Sequence, residues 1–439
     1  MTTPIQRWVL GLSAAASFMV VLDMLVVATA LSTIQRDLHA SLADLEWTVN
    51  AYVLSFAVLL MTGAALGDRF GRRRMFAAGL ALFTAASAAC ALAPSVGWLI
   101  AARTVQGAGA ALVMPLALAL MNAAFPPERR GWATGVYGGV TGLAATVGPV
   151  VGGAVTQGLA WEWIFWLNVP VGLVAVPLVL TRTPESHGTR VTADVPGLLL
   201  AAAGAFGVVW ALIHTAWVPL LLGLAAVAAL VVRERTTTAP MLLLTRGAAA
   251  GNAAIFFVNA TLTGGIFLAA QLFQVVHHLG PLDAGLRLLP WGVAPLLLGP
   301  RAGALADRFG ERPLIVAGTA LQAVGMAWFG LAAGASYALQ VVPMTLSGAG
   351  IALAIPAITR AVVSRSAPVD LAKASGTFST LRQLGGAFGV AVLGAVLDAR
   401  GYGPALASSA ILAAGAVVAA FLLPDRLPDR LPVPVSSPR

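Results

Sequence analysis

Two charged residues stand inside long apolar runs, where an ion is costly. Asp23 falls 16 residues after Arg7 and 13 before Arg36. With ~1.5 Å of rise per helical residue it lies about 20 Å from either basic marker, near the middle of a membrane span. An ionised carboxylate there costs at least ~2.5–3.5 kcal/mol, so it must be protonated, paired or turned to water. Burial favours the neutral form of an acid and a neighbouring cation favours the ionised form. An acid under both influences can load and release a proton; the plainer alternative is a polar contact between helices. Arg103 is the natural partner. In Arg103-Thr104-Val105-Gln106-Gly107 it shares a helix face with Gln106, and Gly107 admits a close neighbour. Asp23, Gln106, Asn50, Tyr52 and Asn259 are candidates to line a substrate cavity. Asp23 is the only carboxylate clearly inside a predicted helix. Arg382, in Leu381-Arg382-Gln383, resembles Arg103 but lies nearer the inner surface and reads as structural.

Mechanical parts accompany the chemical ones. The run after residue 134 places Gly135, Gly138, Gly139 and Gly142 before Gly148-Pro149-Val150-Val151-Gly152-Gly153. Small residues four apart allow close helix packing, and Pro149 removes a backbone hydrogen bond and kinks the helix. Such a helix can seal a central cavity in one state and open it in another. The stretch Leu66-Gly67-Asp68-Arg69-Phe70-Gly71-Arg72-Arg73-Arg74 is a basic turn between two apolar runs. It returns as Leu305-Ala306-Asp307-Arg308-Phe309-Gly310-Glu311-Arg312, 239 residues later. Two copies of one turn, half a chain apart, imply two homologous halves. Asp68 and Asp307 can cap the next helix or pair with an arginine across the seam between the halves, latching the inner side. Gly71 and Gly310 supply the tight turns.

These residues need a membrane to hold them. Of 439 residues 59% are hydrophobic and 10% charged, against ~25% charged in soluble domains. Spans are expected near 8–34, 46–66, 74–94, 97–124, 132–157, 163–181, 196–214, 216–232, 250–275, 284–302, 312–334, 336–358, 375–397 and 404–423. That is an all-α integral membrane protein of fourteen helices. The expected units are residues 1–181, a six-helix bundle; 182–249, a linker with two extra helices; 250–423, a second bundle; and 424–439, a disordered tail. With the N-terminus inside, 21 of the 26 basic residues fall in inner segments and three in outer ones. An asymmetry of that size puts both termini in the cytoplasm. It also accounts for the net charge of +9 without invoking nucleic acid. Twenty-five of the 26 are arginine, Lys373 being the exception, and with abundant Ala and Gly this is the composition of a GC-rich bacterial genome. Cys90, the single cysteine, reads as a small buried residue. Trp161, Trp163 and Trp166 fit an interfacial belt.

Other chemistry is poorly supported. There is no Gly-x-x-x-x-Gly-Lys phosphate loop and no His-Glu-x-x-His motif. His277-His278 lack clustered ligands, so no metal or other cofactor is expected. A membrane enzyme would need clustered nucleophiles or carboxylates in the bilayer. A scaffold or receptor would show no gradient-dependent flux.

Together the motifs resemble the major facilitator superfamily, specifically its fourteen-helix drug:proton antiporter branch, over about residues 8–423. LGDRFGRRR resembles the family signature between helices 2 and 3. RTVQGAGAA resembles its fourth-helix arginine motif, and GPVVGG its helix-5 antiporter motif. WEWIFWLNVPVG and QLFQVVHHLGPLDAGLRLLPWGVAP resemble branch segments at helices 6 and 9–10. Leu25, Ala28 and Ser32 depart from the Thr, Asn and Pro usual in the first helix. The resemblance implies two six-helix bundles rocking about a midplane site, the extra pair outside that core. It implies a monomer in the cytoplasmic membrane, driven by protons, exporting amphipathic drugs, antibiotics or secondary metabolites. Asp23 and Arg103 would couple the proton. Asp68, Arg69, Gly71, Arg72, Arg73, Asp307, Arg308 and Gly310 would form the inner gate, and Gly148, Pro149, Gly152 and Gly153 the antiporter motif. A transporter of a specific metabolite or siderophore is the alternative.

Overall fold

The structure, a computed structural model, describes residues 2–188, 194–237, 242, 246–366 and 370–423. The chain forms α1 (Pro4–Asp37), α2 (Leu42–Phe70), α3 (Arg72–Ala91), α4 (Val96–Ala124), α5 (Pro127–Gly158), α6 (Trp163–Trp166), α7 (Asn168–Arg182), α8 (Val195–His214) and α9 (Trp217–Thr236). It continues with α10 (Arg246–Gln271), α11 (Pro281–Arg287), α12 (Leu289–Phe309), α13 (Glu311–Leu331), α14 (Tyr337–Ser364), α15 (Leu371–Arg400) and α16 (Tyr402–Phe421). A π-helical turn, Leu272–Val276, extends α10, while short α6 and α11 lead into α7 and α12. Among the described residues thirteen helices are long and apolar enough to cross a membrane. The 21-residue α12, several of whose side chains lie outside the described residues, brings the total to fourteen.

Local chemistry sets the ends. Thr3 with Gln6, and Ser41 with Asp44, form capping boxes that satisfy the first free N–H groups of α1 and α2. Thr215 adopts a left-handed conformation, φ 49°, and ends α8 before Trp217 starts α9, so the long apolar stretch is two spans. The two basic turns share one backbone form, with Gly71 at φ 104° and Gly310 at φ 83°. An L side chain is strained there. At Gly71 an added Cβ would also stand 2.8 Å from the Glu185 carboxyl. Gly71→Ala is expected to destabilise the chain by ~1–3 kcal/mol, read as a lower melting midpoint in detergent; an unchanged midpoint would contradict the strain argument.

Helices α1–α7 pack on one another, as do α10–α16. Between them run three seams: α5 against α11 and α12, α2 against α15, and α1 against α10. The pair α8–α9 lies outside, reaching α2 and α15 through α8. Only 22% and 17% of their apolar windows are buried, the least among the thirteen spans of the described residues, which fits a peripheral place in lipid. Trp47 of α2 docks the pair, its ring 5.4 Å from both Phe206 and Trp210. Asp194 ties the hairpin's ends: it caps the Gly197 N–H and meets Arg233 at 2.7 Å. The Arg233 guanidinium holds the Asp194 carboxyl below its usual range, helped by that N–H. The contact therefore stands at neutral pH and is lost only as pH falls through that lowered range. The tail 424–439 lies outside the described residues.

Candidate functional site

Asp23 and Arg103 meet in the core of the first bundle. Arg103 Nη1 lies 2.5 Å from Asp23 Oδ2, and the side chains are 0–1% exposed. Around the pair the polar atoms close on one another. Gln106 Nε2 donates to Asp23 Oδ1 at 2.8 Å and to Ser87 Oγ at 2.7 Å. Asn168 Nδ2 donates to Asp23 Oδ1 at 2.7 Å. Arg103 donates to Gln106 Oε1 at 2.7 Å and through Nε to the Thr48 carbonyl at 3.3 Å. Its guanidinium carbon stands 4.1 Å from the centre of the Tyr52 ring, and the Tyr52 hydroxyl donates to the Val20 carbonyl. Five helices contribute: α1, α2, α3, α4 and α7. Such a network meets the requirement that a buried ion be both paired and hydrogen-bonded.

The sequence pairs Asp23, Arg103 and Gln106 correctly; Ser87, Asn168 and Thr48 escape it. Nothing in their local sequence marks them. They become polar partners only because α3, α7 and α2 converge on one depth. Cys90 is buried, as expected, and also touches Gln106 Oε1 at 3.7 Å.

The placement differs from the sequence expectation in three respects. First, Asp23, Gln106 and Tyr52 do not line an open cavity here; every partner just named belongs to the first bundle. Asn50 is also buried, with both side-chain amide atoms unpartnered. Asn259 lies in the second bundle, donating to the Arg382 carbonyl at 2.7 Å. Second, Asp23 is not the only acid within a span. Glu46 is 3% exposed near the start of α2, pressed against Gly394 of α15, with Oε2 unpartnered. It stands at the end of an apolar run, so its inclusion in the span depends on where α2 begins, which sequence places poorly. Third, Asp68 does not cross the seam. It pairs with Arg72 one turn on, at 2.7 Å. Arg73 and Arg74 face Glu185, at 3.6 and 3.7 Å. Arg69 and Arg308 are exposed, lying over Phe70 and Phe309. The Asp307 side chain lies outside the described residues. The turn is thus tied to its own half, and at its end of the molecule α5 and α12 stand apart.

That asymmetry is written along α5. At the far end, opposite the basic turns, the helix is clamped. A Cβ on Gly153 would sit 2.2 Å from the Pro281 carbonyl, and one on Gly285 would sit 2.3 Å from the Pro149 carbonyl. A Cβ on Gly152 would meet the Val26 carbonyl of α1 at 2.4 Å, and Thr29 donates to the Pro149 carbonyl at 3.2 Å. Gln274 of the second half donates to the Thr29 carbonyl at 3.1 Å. Toward the basic turns, Gly135, Gly138, Gly139 and Gly142 have nothing within 4 Å of a would-be Cβ, and neither has Gly299 of α12. The seam that α5 makes with α11 and α12 is closed at the far face and parted at the basic face. Gly152→Leu is expected to wedge the far seam apart: a folded chain with transport at background. A cysteine introduced at Val155, probed in a chain whose only other cysteine is buried, would then label faster than in the parent. Wild-type labelling and flux would contradict the clamp.

A cavity of about 670 Å³ lies between α1, α5 and α7, lined by Arg7, Phe18, Leu22, Val140, Asn168 and Val171 among others. Its walls are apolar apart from Arg7 and Asn168, and it reaches the ion pair only through Asn168.

The sequence model of the Major Facilitator Superfamily matches residues 13–294 and 252–437. This chain belongs to the Major Facilitator Superfamily. Among superfamily relatives, the tetracenomycin C resistance and export protein of Streptomyces glaucescens is 36% identical over 404 residues, covering 88% of this chain and 75% of that one. The methylenomycin A resistance protein of Streptomyces coelicolor is 34% identical over 401 residues, covering 88% and 84%. In structure the chain is similar to the xylose transporter of E. coli in a partially occluded inward-open conformation. The TM-score is 0.67 at 17% identity, over 96% of this chain and 97% of that one, a likeness of fold. As a superfamily member this is a multi-pass membrane transporter.

Proposed function

We propose that the chain exports amphipathic small molecules, such as an antibiotic or a secondary metabolite, in exchange for protons entering the cell. It works by alternating access, as a monomer in a bacterial cytoplasmic membrane with both termini inside. The relatives named for resistance to, or export of, antibiotics support the direction and the class of cargo. The single observation that carries the coupling is the Asp23–Arg103 pair, one helical turn from the clamp on α5.

The geometry suggests how one would drive the other. Ionised Asp23 holds α1 onto α2, α4 and α7 through Arg103, Gln106 and Asn168. The next turns of α1, Leu25, Val26 and Thr29, are the surface on which Gly148, Pro149 and Gly152 of α5 seat. A proton on Asp23 weakens its hold on Arg103 and frees α1 to shift, and α5 with it. With the basic face inward, the parted α5 seam supports an inward-facing form, in which the acid would give up its proton to the inside as cargo binds. Cargo would enter the parted cleft, and the rocking of the halves would carry it outward. The acid would then reload from outside as cargo leaves. One charge moved inward is worth ~2.3 kcal/mol per 100 mV, enough to sustain a useful gradient of cargo. A specific exporter or importer of one metabolite or siderophore is the second reading, favoured by the first-helix departures at Leu25, Ala28 and Ser32.

A susceptibility panel in a pump-deficient host, with and without a protonophore, is the test. Resistance to a set of amphipathic compounds, lost with the protonophore, is expected. Accumulation of the same compounds in inverted vesicles should follow acidification of the lumen. Protonophore-insensitive resistance would remove the coupling, and accumulation only with the reverse gradient would remove the direction.

A further inference from the structure

Arg382 is a charge within a span that the proposed transport cycle does not use. Arg382 lies 11 residues into α15, about 17 Å from the start of the helix by a rise of ~1.5 Å per residue. Unlike Arg103 it is exposed, and among the described residues its side chain makes no ion pair or hydrogen bond. On sequence Arg382 reads as structural, yet no described residue partners its guanidinium.

Its surroundings show where it points. Exposed Ser375, half-buried Ser379 and Arg382 are four and three residues apart and form one stripe of α15. A further four residues along the stripe is Gly386, where a Cβ would lie 3.0 Å from both Asn259 Nδ2 and Thr263 Oγ1 of α10. Beside the stripe, a Cβ on Gly376 would lie 3.2 Å from Met61 of α2, so the stripe borders the seam between the halves. An arginine at this depth facing lipid tails would carry a heavy cost, and such residues face a bundle interior or a water-filled cavity. Arg382 therefore projects into the cleft that opens at the basic face. Asn259, donating to the Arg382 carbonyl at 2.7 Å, fixes the backbone there.

We infer that Arg382 receives the carboxylate of the transported molecule, and that the preferred cargo is an amphipathic organic anion. Guanidinium offers a planar fork matched to a carboxylate, and no acid among the described residues pairs with it. Asp23 is already held by Arg103. Met61 supplies apolar surface beside the stripe for the rest of the ligand. This rests on the transport reading but adds a class of cargo to it.

The test is a binding titration in detergent with two probes, 1-pyrenebutyric acid and its methyl ester, followed by quenching of tryptophan fluorescence. Wild type is expected to bind the acid about tenfold more tightly than the ester, as a charge-assisted hydrogen-bonded contact warrants. Arg382→Gln should bring the two affinities together, with the ester's affinity kept as evidence of folding. Arg382→Lys should retain part of the preference, which keeps the test open should the glutamine variant not fold. No preference for the acid in wild type, or the wild-type preference undiminished in Arg382→Gln, would overturn the assignment. The titration needs no gradient. A chain that shows the Arg382-dependent preference but no gradient-driven flux refutes the export reading alone; flux without the preference refutes this one alone.

Discussion

Asp23→Asn is expected to abolish gradient-driven export, with flux in inverted vesicles falling to that of empty membranes, while the chain still inserts and elutes as a folded species. Asparagine keeps the size of the side chain and one accepting oxygen, which serves either Arg103 or the Gln106 and Asn168 amides but not both. Arg103 keeps its contacts with Gln106, the Thr48 carbonyl and the Tyr52 ring, so the junction retains its packing and part of its bonding. What it loses is the ability to alternate between charged and neutral forms. If that alternation moves α1 against α5, removing it stops the cycle at its coupling step. Wild-type export by the variant would show that the proton is carried elsewhere, with Glu46, the other buried acid near the seam, the first place to look.

Arg103→Ala is expected to injure the fold itself. It leaves a carboxylate with 0–1% of its surface exposed and no cation beside it. Breaking a buried pair by removing one partner costs ~3–5 kcal/mol. A large drop in the melting midpoint and in membrane yield should follow. Arg103→Lys should recover part of the loss, because an ammonium supplies the charge but cannot reach Asp23, Gln106 and the Thr48 carbonyl together. The double variant Asp23→Asn/Arg103→Ala should be more stable than Arg103→Ala alone, since it buries no unpaired ion. A midpoint for Arg103→Ala equal to wild type would mean that the pair anchors nothing.

Much of this architecture could be read from the residues. Fourteen spans follow from apolar runs of bilayer length. The division of 196–232 into two helices held because Thr215 takes a left-handed turn between them. The repeat of Gly71 and Gly310 was legible because a positive φ needs glycine at the same place in both copies. The Asp23–Arg103 pair was legible because each charge is unaffordable in lipid without the other. Ser87, Asn168 and Thr48 were not, since small polar residues are tolerated in spans singly and gain meaning only where helices cross. The exposure of Arg382 was not legible for a related reason: sequence depth does not say whether a side chain faces protein, lipid or water. The inter-half latch expected at Asp68 depends on conformation, and a sequence carries no record of which face of the cleft is open.

Proton release on binding tests the central claim, that Asp23 carries the coupled proton, more directly than any flux. The purified protein is placed in weak buffer and a compound from the resistance panel is added while pH is recorded. Release of a proton per chain from wild type and none from Asp23→Asn is the result predicted. Equal release from both would contradict it.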